Sequence, residues 1–194
     1  MPGIADSDVS IASNALVLIG SSPISSFDDD DAGAVVANNI YDEVVEDSLS
    51  SYPWRFAVKQ SDALSRLSTA PDTIWDAAYQ IPTDSLTIRR VTVSDVNITY
   101  EVYGDKIFCN AGATDSVFLN YIYRVTEASW PPYFRMAVQM RLASIFALSV
   151  IQKPDIAGAW ADRADTQMRK ARNIDAQNDT IPSISTSRII NVRR

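Results

Sequence analysis

Tyr52-Pro53-Trp54-Arg55-Phe56-Ala57 follows directly on a helix-patterned segment that begins in the acidic run Asp28–Asp31. The acids supply N-terminal capping oxygens and negative charge where unpaired backbone N–H groups favour both. Behind them Val36, Ile40 and Val44 recur every fourth residue, and Tyr41, Val45 and Leu49 widen the stripe. Pro53 ends this pattern by biasing Tyr52 away from helical geometry. Trp54 and Phe56 stand two apart, the spacing that aims both side chains to one face of an extended segment. Pro53, Trp54 and Phe56 are therefore read as structural anchors that fasten the end of a helix over 32–50 to the rest of the protein.

Helix is also expected over 6–19, where Asp6, Ser7 and Asp8 offer caps, Ile11, Ala15, Leu18 and Ile19 form a stripe, and Gly20 stops the pattern. Ser21 to Ser26, with Pro23, reads as a linker. Residues 75–125 change character. Leu86, Ile88 and Arg90 alternate with Thr87 and Arg89, then Ile98, Tyr100 and Val102 alternate with Thr99, Glu101 and Tyr103. Gly104-Asp105 suits a two-residue turn into Lys106–Cys109, and Val117, Leu119, Tyr121 and Tyr123 give a further period-two run. One antiparallel sheet of three or four strands is the expected assembly.

Pro131-Pro132 precedes a third helix over 133–151, apolar nearly all round and so suited to the middle of a bundle. Pro154 interrupts it, and a fourth helix over 155–177 carries Ile156, Trp160, Ala164, Met168 and Ala171. Residues 183–194 show no helical stripe after Pro182 and read as an extended tail. The fold class is α+β: an α-helical bundle with an inserted antiparallel β-sheet region and an extended C-terminal tail. Residues 1–182 are expected to form one domain.

The composition narrows function. With 46% hydrophobic residues in 194, the chain can bury a substantial core. Its longest apolar stretch, 143–151, falls well short of the roughly 20 residues of a membrane span, and no basic-then-apolar leader is seen. Synthesis in a cytoplasm, without a membrane, is expected. There is no histidine, which removes the commonest general base and the imidazole metal ligands. The single cysteine, Cys109, allows neither an internal disulfide nor a thiolate cage, and is read as a small buried hydrophobe. The side chains of Asp28–Asp31 diverge and lack EF-hand spacing, so capping is preferred to a metal site. No catalytic residue, cofactor or metal is assigned, and no enzymatic function is expected.

Net charge is −7, unsuited to a whole-surface grip on nucleic acid. Charge is uneven: acids dominate the first 50 residues, while Arg163, Arg169, Lys170, Arg172, Arg188, Arg193 and Arg194 crowd 163–194. Such asymmetry suits head-to-tail assembly, and it equally describes ordinary solvated surface charge.

Several segments, in order, carry a resemblance: Ala15-x2-Leu18-x-Gly20, Tyr41-Asp42, Tyr52–Ala57, Trp75-Asp76-Ala77-Ala78-Tyr79-Gln80-Ile81-Pro82, Tyr103-Gly104-Asp105, Tyr121-Ile122-Tyr123, Trp130-Pro131-Pro132-Tyr133-Phe134 and Ala171-Arg172-x2-Asp175-Ala176. Together they resemble the head–tail adaptors of tailed bacteriophages, the tail tubular protein A type. The resemblance implies a ring, a dodecamer in the typical case, beneath the portal protein. It also implies contact with a downstream tail or nozzle protein, DNA passing only through the channel, and a place in the virion neck. A siphophage adaptor or a gene-transfer particle component fits the same pattern. In the tail, Ile189, Ile190 and Val192 form a β-prone run able to add to a sheet edge. With Ile184, Arg188, Arg193 and Arg194 they are the expected portal-docking residues. An alternative from another class is a carbohydrate-binding or carbohydrate-acting tail component, for which Glu101, Asp105 and Glu127 are the acids to consider.

Overall fold

The computed structural model describes residues 7–68 and 74–178. Within them are four helices: α1 (Asp8–Leu18), α2 (Ala32–Ser50), α3 (Pro132–Ser149) and α4 (Pro154–Gln177). Between α2 and α3 run seven strands: β1 (Val58–Gln60), β2 (Ala77–Gln80), β3 (Ser85–Val93), β4 (Val96–Ile98), β5 (Tyr100–Tyr103), β6 (Lys106–Cys109) and β7 (Val117–Tyr123). The fold is α+β, a helical bundle with antiparallel sheet inserted between its second and third helices. The tail assigned to 183–194 lies outside the described residues.

Helix ends follow the chemistry at their boundaries. Ser7 caps α1 by accepting from the Ser10 N–H. At the other end Gly20 adopts φ +79°, a conformation glycine enters without steric cost. The N–H groups of Ser21 and Gly20 then reach back to Leu16 and Val17, closing the exposed carbonyls. Asp31 caps α2 through the Gly33 N–H, and Asp29 gathers the backbone of Ser25 and Ser26, so the acidic run is used in turn and cap formation. Pro132 and Pro154 each stand in the first turn of their helix, where a missing N–H costs nothing.

α3 packs against α1, α2 and α4, and is the central helix its all-round apolar sequence predicts. The buried stripe of α2 is centred on Ala37, Tyr41, Val45 and Ser48, which leaves Val36 and Ile40 at its margin rather than its middle. The bundle core continues into the sheet region through Ile122 and Val125.

Two sheets replace the single one expected. One has the order β1-β7-β3-β4, the other β2-β6-β5. The run Ile98-Tyr100-Val102 looks continuous, yet it changes partner at Thr99. β4 folds back on β3 through Ser94-Asp95, both with positive φ as a tight primed hairpin turn requires, whereas β5 pairs with β6. A period-two pattern reports which face a residue takes, not which strand lies beside it. The Gly104-Asp105 turn joins β5 and β6, with Gly104 at φ +60°. β1, which pairs with β7, lies ahead of the region expected to hold the strands. A second core fills the space between the sheets and includes Val91, Ile107, Leu119 and a fully buried Cys109. Among the described residues no helix is long and apolar enough to cross a membrane.

Candidate functional site

The Tyr52–Ala57 segment departs from the extended geometry expected of it: Arg55–Ala57 form one turn of 3-10 helix. Trp54 and Phe56 nevertheless converge, because a tight turn brings the rings together at 6.0 Å and sets both against Phe134 of α3, at 4.9 and 5.0 Å. Trp54 is fully buried, and its indole N–H donates to the Ser48 carbonyl near the end of α2 at 2.9 Å. Trp130 meets Phe134 edge-on at 5.1 Å, and its own N–H closes on the Val125 carbonyl. Phe56 is half-buried and Pro53 exposed, so Trp54 is the anchor and Pro53 shapes the turn that delivers it.

The same turn holds the end of α4. Asp175, almost wholly buried, accepts from the Arg55 backbone N–H at 3.1 Å and from the Tyr133 hydroxyl at 2.8 Å. Arg55 donates from its guanidinium to the Asn178 carbonyl at 3.2 Å, a cation at a helix C-terminus. Arg172 lies over the Tyr52 ring and donates to the Ser51 hydroxyl. In the sequence Asp175 stands out only as part of the Ala171–Ala176 pattern. Its neighbours on α4 read as solvated charge, and nothing local marks this acid as buried. A cleft of 430 Å³ opens beside the clasp, bordered by Arg55, Arg89, Asp175 and Ala176.

Burial, then the bond to Asp175, pushes the Tyr133 phenol well above its ordinary value of 10. Burial and the nearby Glu127 carboxylate do the same for Tyr41. Each phenol stays protonated in the fold at a pH where it ionises in the unfolded chain. The resulting stability is complete below about pH 10 and is lost as pH rises from there towards the folded values. A urea series from about pH 8 to about pH 11 should show the midpoint falling at the alkaline end, with a shallower fall in Tyr133→Phe. An identical slope in that variant would refute the assignment.

A second polar cluster ties α2 to the foot of α3. Arg124 pairs with Glu127 at 2.7 Å and Asp42 at 3.3 Å, and the Tyr41 hydroxyl donates to Glu127 at 3.3 Å. The three acids weighed for sugar chemistry have separate settings. Glu127 belongs to this cluster, Glu101 accepts from the Trp75 indole and the Tyr103 hydroxyl, and Asp105 accepts from the Gln80 amide. That amide holds the Asp105 carboxyl below its usual range, the reverse of a general acid. We expect no polysaccharide turnover; reproducible cleavage abolished by Glu101→Gln would overturn this.

Among the tyrosines, Tyr79 and Tyr121 are core residues and Tyr103 is exposed. Outward on α2 stand Glu43 and Glu46, and outward on α4 stand Arg163, Arg169 and Lys170, interspersed with Asp162 and Asp165. The docking residues Ile184, Arg188, Ile189, Ile190, Val192, Arg193 and Arg194 lie outside the described residues. In comparisons with known proteins, no family model matches the chain and no curated protein matches it.

Proposed function

We propose that this chain is a structural head–tail connector of a tailed phage or phage-like particle. In this reading it forms a ring under the portal that joins capsid to tail and lets DNA pass. One observation carries the reading. Three segments on which the adaptor resemblance rests, Tyr52–Ala57, Trp130–Phe134 and Ala171–Ala176, are far apart in the chain and meet in one clasp through Trp54, Phe134, Tyr133 and Asp175. The clasp fixes the end of α4, the point from which the basic C-terminal segment follows in the chain. That segment is the docking element for the portal, its arginines meeting acidic groups in charge-assisted contacts. Acidic groups along a channel wall would repel the DNA backbone and keep it from adhering during ejection. The role asks for assembly and shape, not turnover.

The test is to size the purified full chain by light scattering and image it, alone and with portal protein. Closed rings, formed alone or on the portal, are the expected result. A chain that stays monomeric in both conditions would sink the reading.

A further inference from the structure

Among the described residues, one flank of the two sheets has no partner strand. β3 pairs with β7 along its length, but β4 covers its other side only from Val91 to Val93. Among the described residues no strand pairs with the outer side of its first part, Ser85–Arg90. Across from it β5 is an edge strand. Tyr100 and Val102 alternate onto the face of β5 whose partners, Cys109 and Ile107, belong to the core between the sheets, yet Val102 is 44% exposed. Between the two strands lies a cleft of 690 Å³, lined by Ile81, Leu86, Ile88, Tyr100, Val102 and Asp105. An open strand edge presents unpaired N–H and C=O groups, and this one lies beside apolar side chains that are only partly buried.

We propose that the cleft receives the chain's own C-terminal run, with Ile189, Ile190 and Val192 laid as a strand along the free edge of β3. The exit of α4 places the run within reach. Ala176 and Arg89 border one cleft, and Arg89 is the β3 residue next to Ile88. Residues 179–182, extended, span about 13–14 Å, and the edge at 85–90 is about 20 Å long, which the twelve residues of 183–194 exceed. Alternation puts Ile184, Ile190 and Val192 on one face of an extended chain, ready to cover Val102 and Tyr100, with Ile189 on the other. Arg188, Arg193 and Arg194 bring positive charge to a cleft that holds Asp105. Pairing would satisfy the backbone of both the edge and the run, the logic of strand addition. The inference concerns the free chain and does not rest on the connector reading. In the connector reading, portal docking draws the run out of this cleft.

Hydrogen exchange on the full-length protein tests it, together with full-length Val102→Arg and Ile190→Asp. The second substitution changes only the tail, so it remains informative if the first disturbs folding. In the parent, amides of 187–192 and of Thr87–Ile88 should exchange about tenfold or more slowly than in either variant, with α3 amides unchanged. A full-length Val102→Cys/Ile190→Cys variant should form an oxidised cross-link within one chain, absent from each single variant. Tail amides exchanging in the parent as fast as in Ile190→Asp would overturn the proposal. So would protection of the tail that Val102→Arg leaves intact while α3 stays protected, since docking would then lie elsewhere. Cross-links found only between chains would overturn it too, because the tail would then serve a neighbouring copy.

Discussion

Trp54→Ala should lower stability by roughly 3–5 kcal/mol, a large part of what a domain of this size holds in total. The indole is fully buried between the end of α2 and the start of α3, in edge or tilted contact with Tyr52, Phe56 and Phe134. Truncation leaves a cavity in a region crossed by two helices and a turn, which cannot all close on it. It also removes the indole donor from the Ser48 carbonyl, which keeps only its bond from the Ser51 hydroxyl among side-chain donors. Trp54→Phe separates these effects: it keeps most of the packing and loses the hydrogen bond, at a cost of about 1 kcal/mol. Urea unfolding of the three proteins checks the ordering. A Trp54→Ala protein with the parent's midpoint would show that the anchor lies elsewhere.

Deleting residues 183–194 should leave a folded protein that no longer attaches to the portal. The two described cores draw on residues between Ile11 and Ala171, and the clasp on residues up to Asn178, so a cooperative melt should persist. The deletion removes Arg188, Arg193 and Arg194 together with the apolar Ile184, Ile189, Ile190 and Val192. Loss of that many charge-assisted and apolar contacts should weaken attachment by well over about tenfold. Binding of parent and deleted chains to immobilised portal gives the comparison. Undiminished affinity would move docking to the acidic N-terminal half.

The helices were legible because their signals are local. Capping at Ser7 and Asp31, the stop at Gly20 and the prolines at 132 and 154 each act within one turn of the backbone they shape. The hairpin at Gly104-Asp105 belongs with them. Less legible was the exchange of partners at Thr99, since strand pairing is decided by residues far along the chain and the alternation of Ile98, Tyr100 and Val102 is the same in either sheet. The 3-10 turn at Arg55–Ala57 escaped for a related reason. A Trp-x-Phe spacing satisfies an extended strand, and only the presence of Phe134 opposite makes a tight turn bury more aromatic surface.

By itself, then, the sequence determined the class of fold, the order of helix and sheet, the apolar character of α3, the burial of Cys109 and the aromatic anchor at Trp54. All of these follow from side-chain chemistry and periodicity over a few residues. Tertiary structure alone decided that the β region divides into two sheets, with no described strand along the outer side of Ser85–Arg90. It also decided that Asp175, on a helix otherwise rich in exposed charge, is buried where Tyr133 and the Arg55 N–H meet it. A carboxylate can be withdrawn from water only where donors from other parts of the chain converge to replace its hydration, and such convergence has no signature in the residues beside it.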